Sequence, residues 1–171
     1  DTTMVVVRDI TKKMQRQNEI DISKDEMKHL ATHDNLTNLP NRALIFEHLN
    51  HAITIAKRTK NNGALLFIDI DCFKDINDNY SHQTGDLLLQ DFALRLSQIR
   101  RNSDIVGRLS GDEFLLILEN ISKMDDILHI IEKIKAQLSI PFSINDINIE
   151  LTVSIGVACF PENGDTADKL I

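Results

Sequence analysis

Residues 104–118 constrain the fold of this chain more than any other stretch. Two short apolar runs, Asp104-Ile-Val and Leu115-Leu-Ile-Leu118, flank Ser110 and Gly111, the small residues that a two-residue hairpin turn demands. The pattern predicts strands over 104–109 and 113–118, paired antiparallel across that turn. Within Arg108-Leu-Ser-Gly-Asp-Glu-Phe114 the turn also carries two carboxylates, Asp112 and Glu113, at its tip. Adjacent carboxylates on a tight turn suit a metal-bound phosphate, although five such residues alone fit a solvated hairpin better.

A second segment adds weight. Leu65-Leu-Phe-Ile-Asp-Ile-Asp runs an apolar strand, predicted over 64–70, straight into Asp69 and Asp71. Functional sites are commonly built at strand ends. With a side-chain period of two, both carboxylates point to one face, where like charges repel unless a cation lies between them. A magnesium site therefore has a physical rationale here.

The rest of the chain alternates helix and strand. Pro40 marks a break, and Asn41 can cap a helix running through Ala43-Leu-Ile-Phe46 to about Lys60. Leu88, Phe92, Leu96 and Ile99 line one face of a helix from about Gly85 to Arg101. After the hairpin come a helix from about Lys123 to Leu138 and a long strand over 148–160. This βαββαβ order predicts an α+β fold of the ferredoxin-like palm type, a mostly antiparallel sheet with helices on one face.

Two segments precede that unit. Residues 1–11 form a β-branched run, either an orphan strand or a frayed tail. Residues 12–33 are polar and free of Gly and Pro, which reads as a linker helix. Ile10, Ile20, Met27 and Ala31 give it a weak heptad stripe, open between a short two-stranded coiled coil and a single solvated helix.

Composition narrows the partners. A net charge of -7 argues against a general nucleic-acid surface, so a bound nucleotide needs metal and a few local cations. Cys72 and Cys159 lack CxxC spacing and read as free thiols in a reducing cytoplasm. No apolar run approaches membrane-spanning length, so any membrane tether lies outside this sequence. His29 with His33, and His48 with His51, share helix faces but lack a third ligand at matching spacing.

Four motifs then combine into a resemblance. His33-Asp-Asn-Leu-Thr-Asn-Leu-Pro-Asn-Arg42, the block from Asp69 to Ser81-His-Gln-Thr-Gly-Asp86, Ser110-Gly-Asp-Glu-Phe114 and Ser154-Ile-Gly-Val-Ala158 resemble, in order, the motifs of the GGDEF domain of diguanylate cyclases. The resemblance places a GGDEF domain over 34–171. Val6-Val-Arg-Asp-Ile-Thr11 resembles the closing strand of a PAS sensor domain, placed over 1–11 ahead of the linker helix. Family members continue past the point where this chain stops, into a helix with phosphate-binding residues, so the domain is expected to be C-terminally incomplete and of uncertain activity alone.

The resemblance implies a chemistry. GTP is the substrate, cyclic di-GMP and pyrophosphate are the products, and a homodimer brings two half-sites face to face. Asp69, Asp112 and the carbonyl of Ile70 match the ligands of two Mg2+ ions, and Asp112 also matches the candidate base for the 3′-hydroxyl. Glu113 supports the metals or the ribose, and Lys74 faces the phosphates. Asn77 and Asp86 read the base, since a carboxylate can accept from guanine donors that adenine lacks. His82 is either near the base or a loop histidine without a ligand. Arg101 and Asp104 match an inhibitory product site, by an RxxD spacing that a basic helix end can also produce.

Departures from the family are specific. Ser110 replaces the first glycine of the signature, at a cost of about 1 kcal/mol if the turn needs positive φ there. Ser81 replaces a glycine before His82 and is expected to stiffen the guanine loop. The alternative function is a catalytically weak GGDEF domain that senses GTP or cyclic di-GMP.

Overall fold

The computed structural model describes residues 14–17, 20, 24 and 26–171. The expected PAS strand over 1–11 lies outside the described residues. Within the expected linker helix, the described positions 14–17, 20, 24 and 26–32 are helical, and Met14, Ile20, Met27 and Leu30 are all exposed.

A four-stranded antiparallel sheet organises the chain. Strands β1 (Asn62–Ile70), β2 (Ile105–Ser110), β3 (Glu113–Ile121) and β6 (Val153–Phe160) lie in the order β2-β3-β1-β6. The hairpin β2–β3 is local, whereas β1 pairs at the centre with β3 on one side and β6 on the other. This is the predicted ferredoxin-like arrangement. A short hairpin of β4 (Phe142–Ile144) and β5 (Ile147–Ile149) stands apart from the sheet.

Alternation along β1 and β3 explains why the sheet is covered on both sides. Ala64, Leu66, Ile68 and Ile70 face α3 (His82–Ile99) and α4 (Met124–Leu138), together with Phe114, Leu116 and Leu118. Leu65, Leu115 and Ile117 face the opposite way, onto α1 (Arg42–Thr59) through Ile45, Leu49, Ala52 and Ile53. The expectation of helices on one face is therefore corrected. A central strand with no polar residue from Ala64 to Ile68 needs cover on both faces.

Phe92 packs on Phe114 and Phe142 at centroid distances of 4.9 and 6.3 Å, the centre of the larger core. Each such buried ring stabilises by about 1.5–3 kcal/mol. Arg95 lies 3.6 Å over the Phe142 ring and donates to the carbonyls of Gln137 and Pro141, which ties α3 to the end of α4.

Element boundaries show what patterning misses. As predicted, Asn41 caps α1, its side chain accepting from Leu44 N; Lys60 closes the helix in the left-handed conformation. Helix α3 begins at His82 and ends at Ile99, earlier than the predicted span at both ends. The predicted strand 148–160 is broken at 150–152, and the β4–β5 hairpin has no counterpart in the sequence reading. A helix absent from that reading, α2 (Phe73–Tyr80), follows β1 directly. It lacks a side-chain cap and is rich in Asp and Asn, poor helix formers, so tertiary packing of Phe73 and Ile76 on the core holds it. Among the described residues no helix is long and apolar enough to cross a membrane.

Candidate functional site

The ends of β1 and β3 bring carboxylates together. Asp69 pairs in register with Glu113, and Ile70 N–H donates to the Asp112 carbonyl at 3.4 Å. By strand alternation Asp69 and Glu113 share the α1 face of the sheet, beyond Leu65 and Phe67. Partial burial raises the Asp69 carboxyl above its ordinary value, and repulsion from Asp112, Glu113 and Asp71 adds to that rise. Glu113 accepts from Ser110 Oγ at 2.6 Å, while the Asp69 and Asp112 carboxylates have no partner among the described residues.

Asp71 lies on the same face as Asp69, as its spacing predicts, and adds to the repulsion there, but its own oxygens are already bonded. It lies past the end of β1, where Thr152 and Ser154 hydroxyls donate to its two oxygens at 2.6 and 2.7 Å. Those bonds lower its carboxyl, with only slight opposition from desolvation.

The turn itself differs from expectation. Ser110 closes β2, and the left-handed residue is Gly111, at φ 48°, with open space where a β-carbon would stand. The expected strain at Ser110 does not arise. Strain sits instead at Ser81, between α2 and α3, at φ 148°. Such backbone costs about 1–3 kcal/mol in a residue with a side chain. Ser81 offsets part of it as a cap, its Oγ accepting from Thr84 N at 3.2 Å and bonding Thr84 Oγ1 at 3.0 Å.

Helices α2 and α3 pack on each other and bring the predicted base readers to one crossing. Asn77 of α2 lies against Gly85 of α3, one residue before Asp86. The side chains of Lys74, Asn77, His82 and Asp86 make no hydrogen bond or ion pair among the described residues, and Lys74, His82 and Asp86 are exposed. These groups are available to a ligand from the same side chains that the sequence singles out.

The Arg101–Asp104 pair is built differently from expectation. Asp104 is 2 % exposed, and its carboxylate accepts from Arg101 N at 3.0 Å and Ser103 Oγ at 3.3 Å. Its carbonyl accepts from Arg100 at 3.1 Å. The RxxD spacing folds into a turn stapled by its own aspartate, so Arg101 is the exposed member and Asp104 is turned inward.

Sequence reasoning missed the clamp behind the signature. Asp34 accepts from Thr37 N and Oγ1 and from Arg108 at 2.9 Å, while Arg108 Nε donates to the Gly111 carbonyl at 2.9 Å. The Arg108 and Asp34 side chains are 11 % and 26 % exposed. Burial pulls the Asp34 carboxyl up, but the bonds from Thr37 and Arg108 outweigh it and the net shift is downward. Arg108 N–H also donates to the Pro40 carbonyl at 3.0 Å, so the segment before α1 is docked on β2. A lone arginine in an otherwise apolar strand was the available signal, since such a charge needs a partner.

Among the described residues no three His, Cys, Asp or Glu side chains gather closely enough to hold a metal by themselves. A cation at Asp69 and Asp112 must therefore complete its shell with carbonyl, phosphate or water oxygens, the donor set by which Mg2+ is usually held. A cleft of about 730 Å3 opens elsewhere, between α2, the end of α4 and residues 150–153. It includes Asp71 but none of the predicted site residues. The rings of His29 and His33 lie 4.0 Å apart, tilted by 41°, and engage Asn38 and Thr32.

Comparison with known proteins agrees with this arrangement. The model of the family described as diguanylate cyclase, GGDEF domain, matches residues 31–171. The bifunctional diguanylate cyclase/cyclic di-GMP phosphodiesterase MucR of Pseudomonas aeruginosa is 41% identical over 146 residues, 85% of this chain and 21% of MucR. The chain thus spans about a fifth of that relative's length. A structure of TpbB from the same organism, comprising only the GGDEF domain, superposes with a TM-score of 0.78 at 40% identity, covering 81% of each chain. The coiled coil and GGDEF domain of DgcB from Caulobacter crescentus, in complex with c-di-GMP, gives a TM-score of 0.80 at 26% identity, over 96% of this chain and 87% of that one.

Proposed function

The chain belongs to the diguanylate cyclase GGDEF domain family, and from that premise we propose that it condenses two GTP molecules into cyclic di-GMP with release of two pyrophosphates. The observation that carries this reading is the partnerless carboxylate pair at the ends of β1 and β3, Asp69 beside Asp112. Carboxylates left unpaired and mutually repelling at a strand end are poor structure and a good cation site.

Bound there, two Mg2+ ions would neutralise triphosphate charge and make the 3′-hydroxyl more acidic. The residues' own contributions are positional. Asp69, Asp112 and the Ile70 carbonyl would hold the metals, and Asp112 would take the 3′-hydroxyl proton. That oxygen forms a bond to the α-phosphorus of the other GTP, and the bond from that phosphorus to the pyrophosphate oxygen breaks. Glu113, oriented by Ser110 Oγ, supports the metals or the ribose. Lys74, in the first turn of α2, meets the phosphates.

Asp86 accepts from the guanine N1 and N2 donors, with Asn77 beside it and His82 at the mouth. Two copies must face each other, since each supplies one hydroxyl and one α-phosphate. The exposed apolar residues of the leading helix, Ile20 and Met27 seven apart with Leu30 three further on, supply a coiled-coil seam for that dimer. Product binds at Arg101, on the turn that Asp104 holds, and restrains pairing of the half-sites.

Incubating the protein with GTP and Mg2+ and separating the products chromatographically tests the reading. Cyclic di-GMP and pyrophosphate in a 1:2 ratio are expected. Stoichiometric binding of GTP without turnover, in a dimer with magnesium saturating, would assign the chain to the sensing class instead.

A further inference from the structure

Gly85 lies in the first turns of α3, buried, with an ordinary helical backbone, its N–H donating to the Ser81 carbonyl at 3.0 Å. Its φ is not in the left-handed region, so backbone freedom does not explain a glycine here. Inside a helix that choice costs about 0.5–1 kcal/mol relative to alanine. Space explains it. A β-carbon on residue 85 would overlap Asn77 Oδ1, and would lie 3.1 Å from Asn77 Cγ and 3.2 Å from Phe73 Cζ.

The amide of Asn77 thus occupies the volume that any other residue at 85 would fill. It does so without a hydrogen bond to hold it, among the described residues. Packing alone orients this side chain. On the α3 side, the surface against the amide is the bare Cα of Gly85, and the next residue is Asp86.

We propose that Gly85 is a specificity-determining positioning residue: it is the seat that holds the Asn77 amide at the height where, with Asp86, it reads the guanine edge. This rests on the reading of Asn77 and Asp86 as base readers. A methyl group at 85 lifts the amide off its seat, so the hydrogen bonds to guanine are lost while the phosphate contacts remain. The effect should resemble removal of the amide itself, on the order of a tenfold loss of discrimination between GTP and ATP.

The alternative is that Gly85 serves only the close approach of α2 to α3. A methyl group would then move α2 as a body, carrying Lys74 with it, and weaken GTP and ATP alike.

The test is a double-mutant cycle on G85A and N77A, read as affinities for GTP and for ATP by calorimetry with Mg2+, on dimeric protein. G85A and N77A should each lower the GTP/ATP ratio by a similar factor, ATP affinity should change little, and G85A/N77A should be no worse than N77A. A parallel loss of GTP and ATP affinity in G85A, or losses that add in the double variant, would overturn the proposal. If N77A keeps the wild-type ratio, the base-reading role of Asn77 fails and the inference with it. If N77A lowers the ratio and G85A does not, that role stands and the seat is refuted. Should G85A alone fail to fold, thermal melts of G85A/N77A decide: the seat predicts that it folds, and a double variant that stays unfolded contradicts the seat.

Discussion

At its base, the β2–β3 hairpin carries Asp104, 2 % exposed, its carboxylate accepting from Arg101 N and Ser103 Oγ. At its tip it carries Asp112, whose carboxylate has no partner among the described residues and whose neighbour across the strands is another carboxylate. The residue type is the same, and circumstance separates the roles. A buried acid with its bonds made is part of the fold, because removing it strands the donors it served. A partly exposed acid with none made adds little to the fold and is open to a metal. The Asp34–Arg108–Gly111 clamp belongs with the first kind and holds the second in place.

Substitutions can break or sharpen this contrast, and the largest effect is expected on the ligand side. Asp86→Ala should lower the ratio of GTP to ATP affinity by about 1–3 kcal/mol, with the unfolding midpoint nearly unchanged because the residue is exposed. Competition titrations check both nucleotides, and an unaltered ratio assigns base reading to another group. Asp104→Ala should lower unfolding stability by about 2 kcal/mol in urea titration, since it removes the buried carboxylate that ties down the exposed turn through Arg101 N and Ser103 Oγ.

Asp34→Asn should cost about 1 kcal/mol at neutral pH, leaving the largely buried Arg108 with a weaker partner. Its folded carboxyl lies below the ordinary value of 3.8. The stability it contributes is therefore present above that value and is lost as pH falls through the lower folded value. Urea midpoints of wild type and variant should converge only in that acid range.

Asp69→Asn should give the smallest change, and of opposite sign. The folded carboxyl is raised, so its favourable contribution is present below 3.8 and is lost as pH rises through the folded value. Without divalent cations at neutral pH the neutral isostere should melt slightly higher than wild type. Adding Mg2+ should raise wild type more than the variant, as differential scanning fluorimetry would show.

The same distinction explains what was legible in the sequence. Strands β1 and β3 were legible because an apolar run bounded by Gly or Asp has few other solutions, and α1 because Asn41 caps it. Helix α2 was not, because its sequence opposes a helix and packing of Phe73 and Ile76 on the core and of Asn77 on α3 keeps it. Asp69, Asp112, Asn77 and Asp86 come from the family motifs; the structure brings Asp69 near Asp112, and Asn77 against Gly85, the neighbour of Asp86. Asp71, Asp104 and Asp34 could not be sorted from them by residue type. What sorts them is which hydroxyl, N–H or guanidinium lies alongside, a property of contacts up to 83 residues apart in the chain.

The most direct measurement compares two isosteric variants of one hairpin, Asp112→Asn and Asp104→Asn, for cyclic di-GMP formed from GTP and Mg2+ at a temperature where both are folded, alongside their urea midpoints. Asp112→Asn should yield no product above background while unfolding within about 0.5 kcal/mol of wild type. Asp104→Asn should unfold earlier and keep the wild-type initial rate. Product at the wild-type rate from Asp112→Asn, or its loss from folded Asp104→Asn, would contradict the assignment of chemistry to the tip and structure to the base.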